Sequence, residues 1–121
     1  MKRESISGMI DRKIMTFLGE GKEISFIIDD LWTRMNKFIQ NIKDSDKTVD
    51  VYKLLIREDV ESIGPTKLRY QVIYIKEAMK RVEELNWLKA NKSRFSHLNK
   101  VQSYKLLKLK EKLSEENALP F

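Results

Sequence analysis

The stretch 65–85 constrains this chain more than any other. A proline has a preset φ and no backbone donor, so Pro65 suits the first turn of a helix, and Gly64 frees the turn that leads into it. Leu68, Val72, Ile75, Met79 and Val82 then recur at steps of four and three. At about 100° per residue, these five side chains fall within roughly 80° of arc. Thr66, Arg69, Tyr70, Ile73, Glu77, Lys80 and Arg81 lie roughly opposite, with Ile73 an apolar mismatch on that outer face. A long amphipathic helix needs a partner for its stripe, and the rest of the chain has to supply it.

The strongest partner is a helix over 24–43. Ile24, Ile28, Leu31, Met35, Phe38 and Ile42 repeat at helical spacing, Trp32 and Ile39 widen the face, and Asp44-Ser45-Asp46-Lys47 ends it. A shorter helix over 5–18 carries Ile6, Ile10, Ile14, Phe17 and Leu18 and is stopped by Gly19-Glu20-Gly21. Thr48-Val49 reads as a short extended piece, and Asp50 as the N-cap of a helix to about 58 that buries Val51, Leu54 and Leu55. Residues 60–64 read as a turn. Beyond 85, Trp87-Leu88-Lys89-Ala90 and Arg94-Phe95-Ser96-His97-Leu98 show bulky, partly alternating residues around turn-like Asn91-Lys92-Ser93, the pattern of a small β-hairpin. A last helix over about 100–116 places Leu106, Leu109 and Leu113 on one side, and Tyr104 and Leu107 on another.

At 121 residues, 41% hydrophobic and 35% charged, the expectation is one folded domain spanning 1–121. Its parts are an N-terminal helix in 1–20, a core over 24–99 and a C-terminal helix in 100–117. No apolar run approaches the roughly 18–20 residues of a membrane span. No apolar segment or cleavage site follows Met1-Lys2-Arg3-Glu4-Ser5, and cysteine is absent. Together these point to a cytoplasmic protein without disulfides, thiolate metal sites or thiol catalysis, and with no membrane association. Charge is unevenly spread. Residues 1–64 carry 11 Lys/Arg against 12 Asp/Glu, and residues 65–121 carry 13 against 6, so a net +7 sits in the second half. That asymmetry points to an anionic partner, nucleic acid first; the competing reading is a solvated lysine-rich surface.

Little in the sequence suggests catalysis. The single histidine, His97, has no cysteine or spaced carboxylates with which to form a metal site. Asp29-Asp30 and Glu83-Glu84 are adjacent on helices and so diverge by about 100°, which excludes a paired-carboxylate site. There is no glycine-rich phosphate loop. Trp32 and Trp87 read as core anchors. The expectation is a non-enzyme with no cofactor, no metal and no evident small-molecule ligand. A metal-dependent nuclease with scattered carboxylates is the enzymatic reading that sequence leaves open.

The order helix 24–43, extended piece, helix 50–58, Gly-Pro turn, helix 65–85 and hairpin resembles the winged helix-turn-helix superfamily over about 24–99. The resemblance is carried by Met79-Lys80-Arg81-Val82-Glu83-Glu84-Leu85-Asn86-Trp87-Leu88, which is similar to the end of a recognition helix and the start of its wing. Asn86 stands where that family often has glycine, and helix 65–85 is longer than a typical recognition helix. The resemblance implies a mainly α fold with a small β-hairpin, extended by extra N- and C-terminal helices. It also implies double-stranded DNA as partner, with a role in transcription regulation or as a plasmid or viral DNA-binding factor. Helix 65–85 would enter the major groove with Thr66, Lys67, Arg69, Tyr70, Gln71 and Tyr74, and wing 87–98 would place Lys89, Asn91, Lys92, Ser93 and Arg94 on the backbone. For Tyr70 and Tyr74, packing against a neighbouring element is the competing role. Leu106, Leu109 and Leu113 have the spacing of a short coiled-coil seam and would form a homodimer interface, unless that helix packs on its own domain. The rival class is a non-catalytic helical protein–protein adaptor that uses exposed Ile73 and tyrosines.

Overall fold

The computed structural model describes residues 5–117, with side chains through Glu111, and among these it contains helices and no strand. Five α-helices follow one another: α1 (Ile6–Gly19), α2 (Ile24–Ser45), α3 (Val51–Leu55), α4 (Thr66–Ala90) and α5 (Lys100–Asn117). Two 3₁₀ turns, Val60–Ser62 and Lys92–Phe95, flank α4.

Local chemistry sets most of the ends. Ser5 caps α1 by accepting from the Gly8 N–H at 3.0 Å, and Asp50 caps α3 by accepting from Tyr52 at 3.0 Å. The α1 C-terminus closes as a Schellman turn, with the Lys22 N–H donating to Phe17 O and the Gly21 N–H to Leu18 O. That closure puts Gly21 at φ +82°, a left-handed conformation that favours glycine. Pro65 is the N-cap residue of α4, one position before the first helical residue.

At 25 residues and roughly 37 Å, α4 is the axis of the fold. It packs against α2, α1, α3, α5 and the Val60–Ser62 turn. Because neighbours surround it, its buried set is wider than one stripe: Gln71, Val72, Tyr74, Ile75, Ala78, Arg81, Val82, Leu85 and Leu88. Val72, Ile75 and Val82 are where the periodicity puts them, whereas Met79 is exposed. From α2 come Ile27, Leu31, Met35 and Ile42, and from α1 Ile10, Ile14 and Leu18. Phe38 of α2 meets Tyr74 edge-on at 5.0 Å and Tyr70 at 6.1 Å.

The winged-helix expectation is overturned by the absence of the hairpin. α4 continues past Asn86 to Ala90, because Leu88 extends the buried line of Val82 and Leu85, and Lys89 and Ala90 favour helix. The stop comes at Asn91, whose backbone N–H and Nδ2 both donate to Trp87 O, at 3.0 and 2.8 Å. The segment expected as the second strand begins as the 3₁₀ turn Lys92–Phe95. The extended piece at Thr48 is also no strand: its N–H and hydroxyl both bond the Asp46 carboxylate, a local turn that competes with strand pairing. α3 ends at Leu55, short of 58. At α5, Leu106 and Leu109 are 39% and 53% exposed, while Leu113 lies outside the residues whose side chains are described.

Candidate functional site

The candidate site is a cleft of about 810 Å³ where the ends of several helices meet. The end of α1 brings Leu18, the start of α2 Ile24, the end of α4 Leu88, the 3₁₀ turn Phe95, and the approach to α5 Leu98 and Val101. The volume is in the range typical of ligand clefts, and the mix of apolar walls with a few polar groups is the usual composition of such sites.

Each wall is placed by an identifiable device. The extension of α4 beyond Asn86 carries Leu88 into the cleft and leaves Lys89 at its edge, where Nζ donates to Ser25 Oγ at 2.8 Å. The 3₁₀ turn folds Phe95 back onto Trp87, ring centroids 5.8 Å apart. A reciprocal cap then starts α5: Gln102 N–H donates to Asn99 Oδ1 at 2.8 Å, and Asn99 N–H donates to Gln102 Oε1 at 3.1 Å. Lys100 ties α5 to the start of α2 through Glu23, at 3.5 Å, and through the carbonyl of Lys22, at 3.4 Å.

Charge around this cleft is predominantly positive. Lys89, Lys92 and Lys100 line it, against the single carboxylate of Glu23, which Lys100 already engages. Lys92 has no hydrogen-bond or ion-pair partner among the described residues. Lys22 and Arg94 lie next to the lining residues in the chain, as does Glu20 with the opposite sign. Ser25, Ser96, Asn99 and Ser103 supply neutral polar atoms.

A second polar assembly lies deeper, between α1, α4 and α5. Arg81 is 3% exposed and donates from Nε to Asp11 Oδ1 at 2.7 Å. Its guanidinium also meets Ser7, Glu77 at 3.3 Å and Glu84 at 3.7 Å. Tyr104, fully buried on α5, donates to the same Asp11 oxygen. Lys108 of α5 pairs with Glu84 at 3.1 Å and with Glu111 at 3.4 Å. Burial pushes the Glu84 carboxyl above its ordinary value, against the pull of Lys108 and Arg81. Burial, reinforced by the hydrogen bond to Asp11, pushes the Tyr104 phenol far up. With its groups engaged by one another, this assembly braces three helices. Among the described residues, no cluster of His, Cys, Asp and Glu is arranged to hold a metal ion, and no helix is long and apolar enough to cross a membrane.

The residues expected to contact DNA are divided by the fold. Thr66, Lys67, Arg69 and Tyr70 lie at the start of α4, and Lys89, Asn91, Lys92, Ser93 and Arg94 lie at or just beyond its other end, roughly 37 Å away along the axis. Arg69 is spent locally, donating to Glu61 O at 3.2 Å and reaching Thr66 Oγ1 at 3.4 Å. Gln71 and Tyr74 are 6% and 4% exposed and face the interior, so they present nothing to a groove in this fold. For Tyr74, the packing alternative is the one the structure displays. Of the expected set, Lys89 and Lys92 are the two that line the cleft. Sequence reasoning missed its apolar walls. The available signal was Phe95 and Leu98, two large apolar residues in an otherwise basic, turn-rich segment.

Comparison with protein-family models, with curated proteins and with solved structures returns no match.

Proposed function

We propose that this chain is a non-catalytic helical binding module, a protein–protein adaptor whose partner site is the cleft at the lysine-rich end of the bundle. The observation that carries this reading is the combination in one place of Leu88, Phe95 and Leu98 as an apolar floor with Lys89, Lys92 and Lys100 as cationic edges. Apolar floors give affinity, and edge charges give orientation and partner choice. The reading gives Lys89, Lys92 and Lys100, three of the thirteen basic residues of the second half, a protein surface in place of a DNA groove.

Amide NMR of the whole protein against a set of small carboxylate, amine and neutral aromatic fragments tests it. Shifts should cluster on Leu18, Ile24, Leu88, Phe95, Leu98 and Val101, and carboxylates should dominate the hits. Shifts scattered over the surface, or confined to another face, would remove the cleft as the site. Duplex DNA is the competing anion. If duplex binding is lost with Lys92→Glu/Arg94→Glu but untouched by Phe95→Asp, the contact is phosphate-driven and the adaptor reading fails.

A further inference from the structure

The kind of partner can be narrowed from the arrangement of the cleft's charges, granting that the cleft is the partner site. Its three lysines come from three separate elements: Lys89 from the last turn of α4, Lys92 from the 3₁₀ turn and Lys100 from the first turn of α5. Glu23 is the only carboxylate among the lining residues, so three cations at one cleft complement a peptide that carries several carboxylates. The internal demand on these lysines is small. Lys89 is held by a neutral hydroxyl, Lys100 shares Glu23, and Lys92 is unpartnered among the described residues. The apolar floor is likewise built from several separate segments, which suits side chains entering side by side.

We propose that the cleft's occupant is an acidic amphipathic peptide segment of a partner protein, its apolar side chains seated on Leu88, Phe95 and Leu98 and its carboxylates paired with Lys89, Lys92 and Lys100. Helical segments that lay an apolar face into a groove and fix register with flanking charges are a recurring recognition mode. The local excess of lysine at the cleft favours the approach of such a segment.

A random peptide library displayed on phage, panned against the full chain, tests the assignment. The expected enrichment is Asp and Glu interleaved with Leu, Ile or Phe. Binding of a selected peptide, measured by calorimetry, should weaken by up to about five-fold for each of Lys89→Gln, Lys92→Gln and Lys100→Gln, and should weaken further as salt rises. The charge-reversed triple variant should select basic residues in the same apolar frame. Circular dichroism and urea midpoints establish that each variant is folded. Peptides that are apolar without acidic bias, and indifferent to all three lysine variants, would overturn the acidic partner while leaving the cleft as the site. Peptides indifferent to Phe95→Asp as well would overturn both. No peptide enrichment, with binding instead to anionic phospholipid vesicles or to duplex DNA, would replace the peptide by those ligands and overturn the proposal.

Discussion

Replacing Arg81 with methionine removes a buried cation that meets three carboxylates. Arg81 is 3% exposed and reaches Asp11, Glu77 and Glu84 at 2.7, 3.3 and 3.7 Å. Removing one member of a buried charge pair costs about 3–5 kcal/mol, because the other charge is left without compensation. The lower end applies here: the Asp11 and Glu77 side chains keep 23% exposure, Asp11 keeps the Tyr104 donor, and Glu84 keeps Lys108. A loss of about 3 kcal/mol, with a urea slope of about 2 kcal/mol per molar, lowers the unfolding midpoint by roughly 1.5 M. The loss should shrink on acidification. Glu84, whose carboxyl burial already raises, loses the downward pull of Arg81, so it rises further and part of the lost stability returns as pH falls. Asp11→Asn combined with Arg81→Met should cost less than the sum of the two single changes, since each removes the same contact. Urea titrations of the four proteins decide it. A midpoint drop below roughly 0.5 M for Arg81→Met, or strictly additive effects, would refute the claim that this buried assembly braces α1, α4 and α5.

Three further outcomes follow from the same packing. Burial holds the Glu84 carboxyl above its ordinary 4.5, so its contribution to stability should decline as pH rises from 4.5 through the raised value, and Glu84→Gln should flatten that part of the profile. The Tyr104 phenol is pushed well above 10 by burial and by Asp11, so protonation stabilises the fold until pH passes 10; tyrosinate absorbance of Tyr104 should then appear only with unfolding, and Tyr104→Phe should abolish that component. Leu85→Ala, at a fully buried position of α4, should cost about 2–5 kcal/mol by chemical denaturation, against less than about 0.5 kcal/mol for Tyr52→Ala, where the side chain is 81% exposed.

The helical backbone of this fold was legible because hydrophobic period is a local signal. Leu31, Met35 and Ile42 on α2, Ile10, Ile14 and Leu18 on α1, and Val72, Ile75 and Val82 on α4 are buried as their spacing predicts. Trp87-Leu88-Lys89-Ala90, expected as the start of the wing, is helix instead; it is too short for alternation to be told from helical period. What settles it is Leu88 reaching the same interior as Leu85, a tertiary fact. A single stripe leaves Gln71 and Arg81 outward and Tyr74 open between a groove contact and packing, whereas a helix surrounded by neighbours buries all three. Arg81 in particular is stabilised inside by Asp11, which is 70 residues away in sequence, and no local pattern reveals that pairing. For the cleft, the sequence showed its charge and concealed its shape. Lys89 and Lys92 stood out as cations, but their apolar company comes from segments as distant as Leu18 and Val101.

Hydrogen exchange of the full chain with and without a selected acidic peptide tests the central claim most directly. Protection should rise in 18–25 and 88–103, and should vanish with Phe95→Asp while exchange in the centre of α4 is unchanged. Protection confined to the α2–α3–α4 face around Trp32 and Tyr52, or no added protection at saturating peptide, would contradict the assignment of the cleft as the partner site.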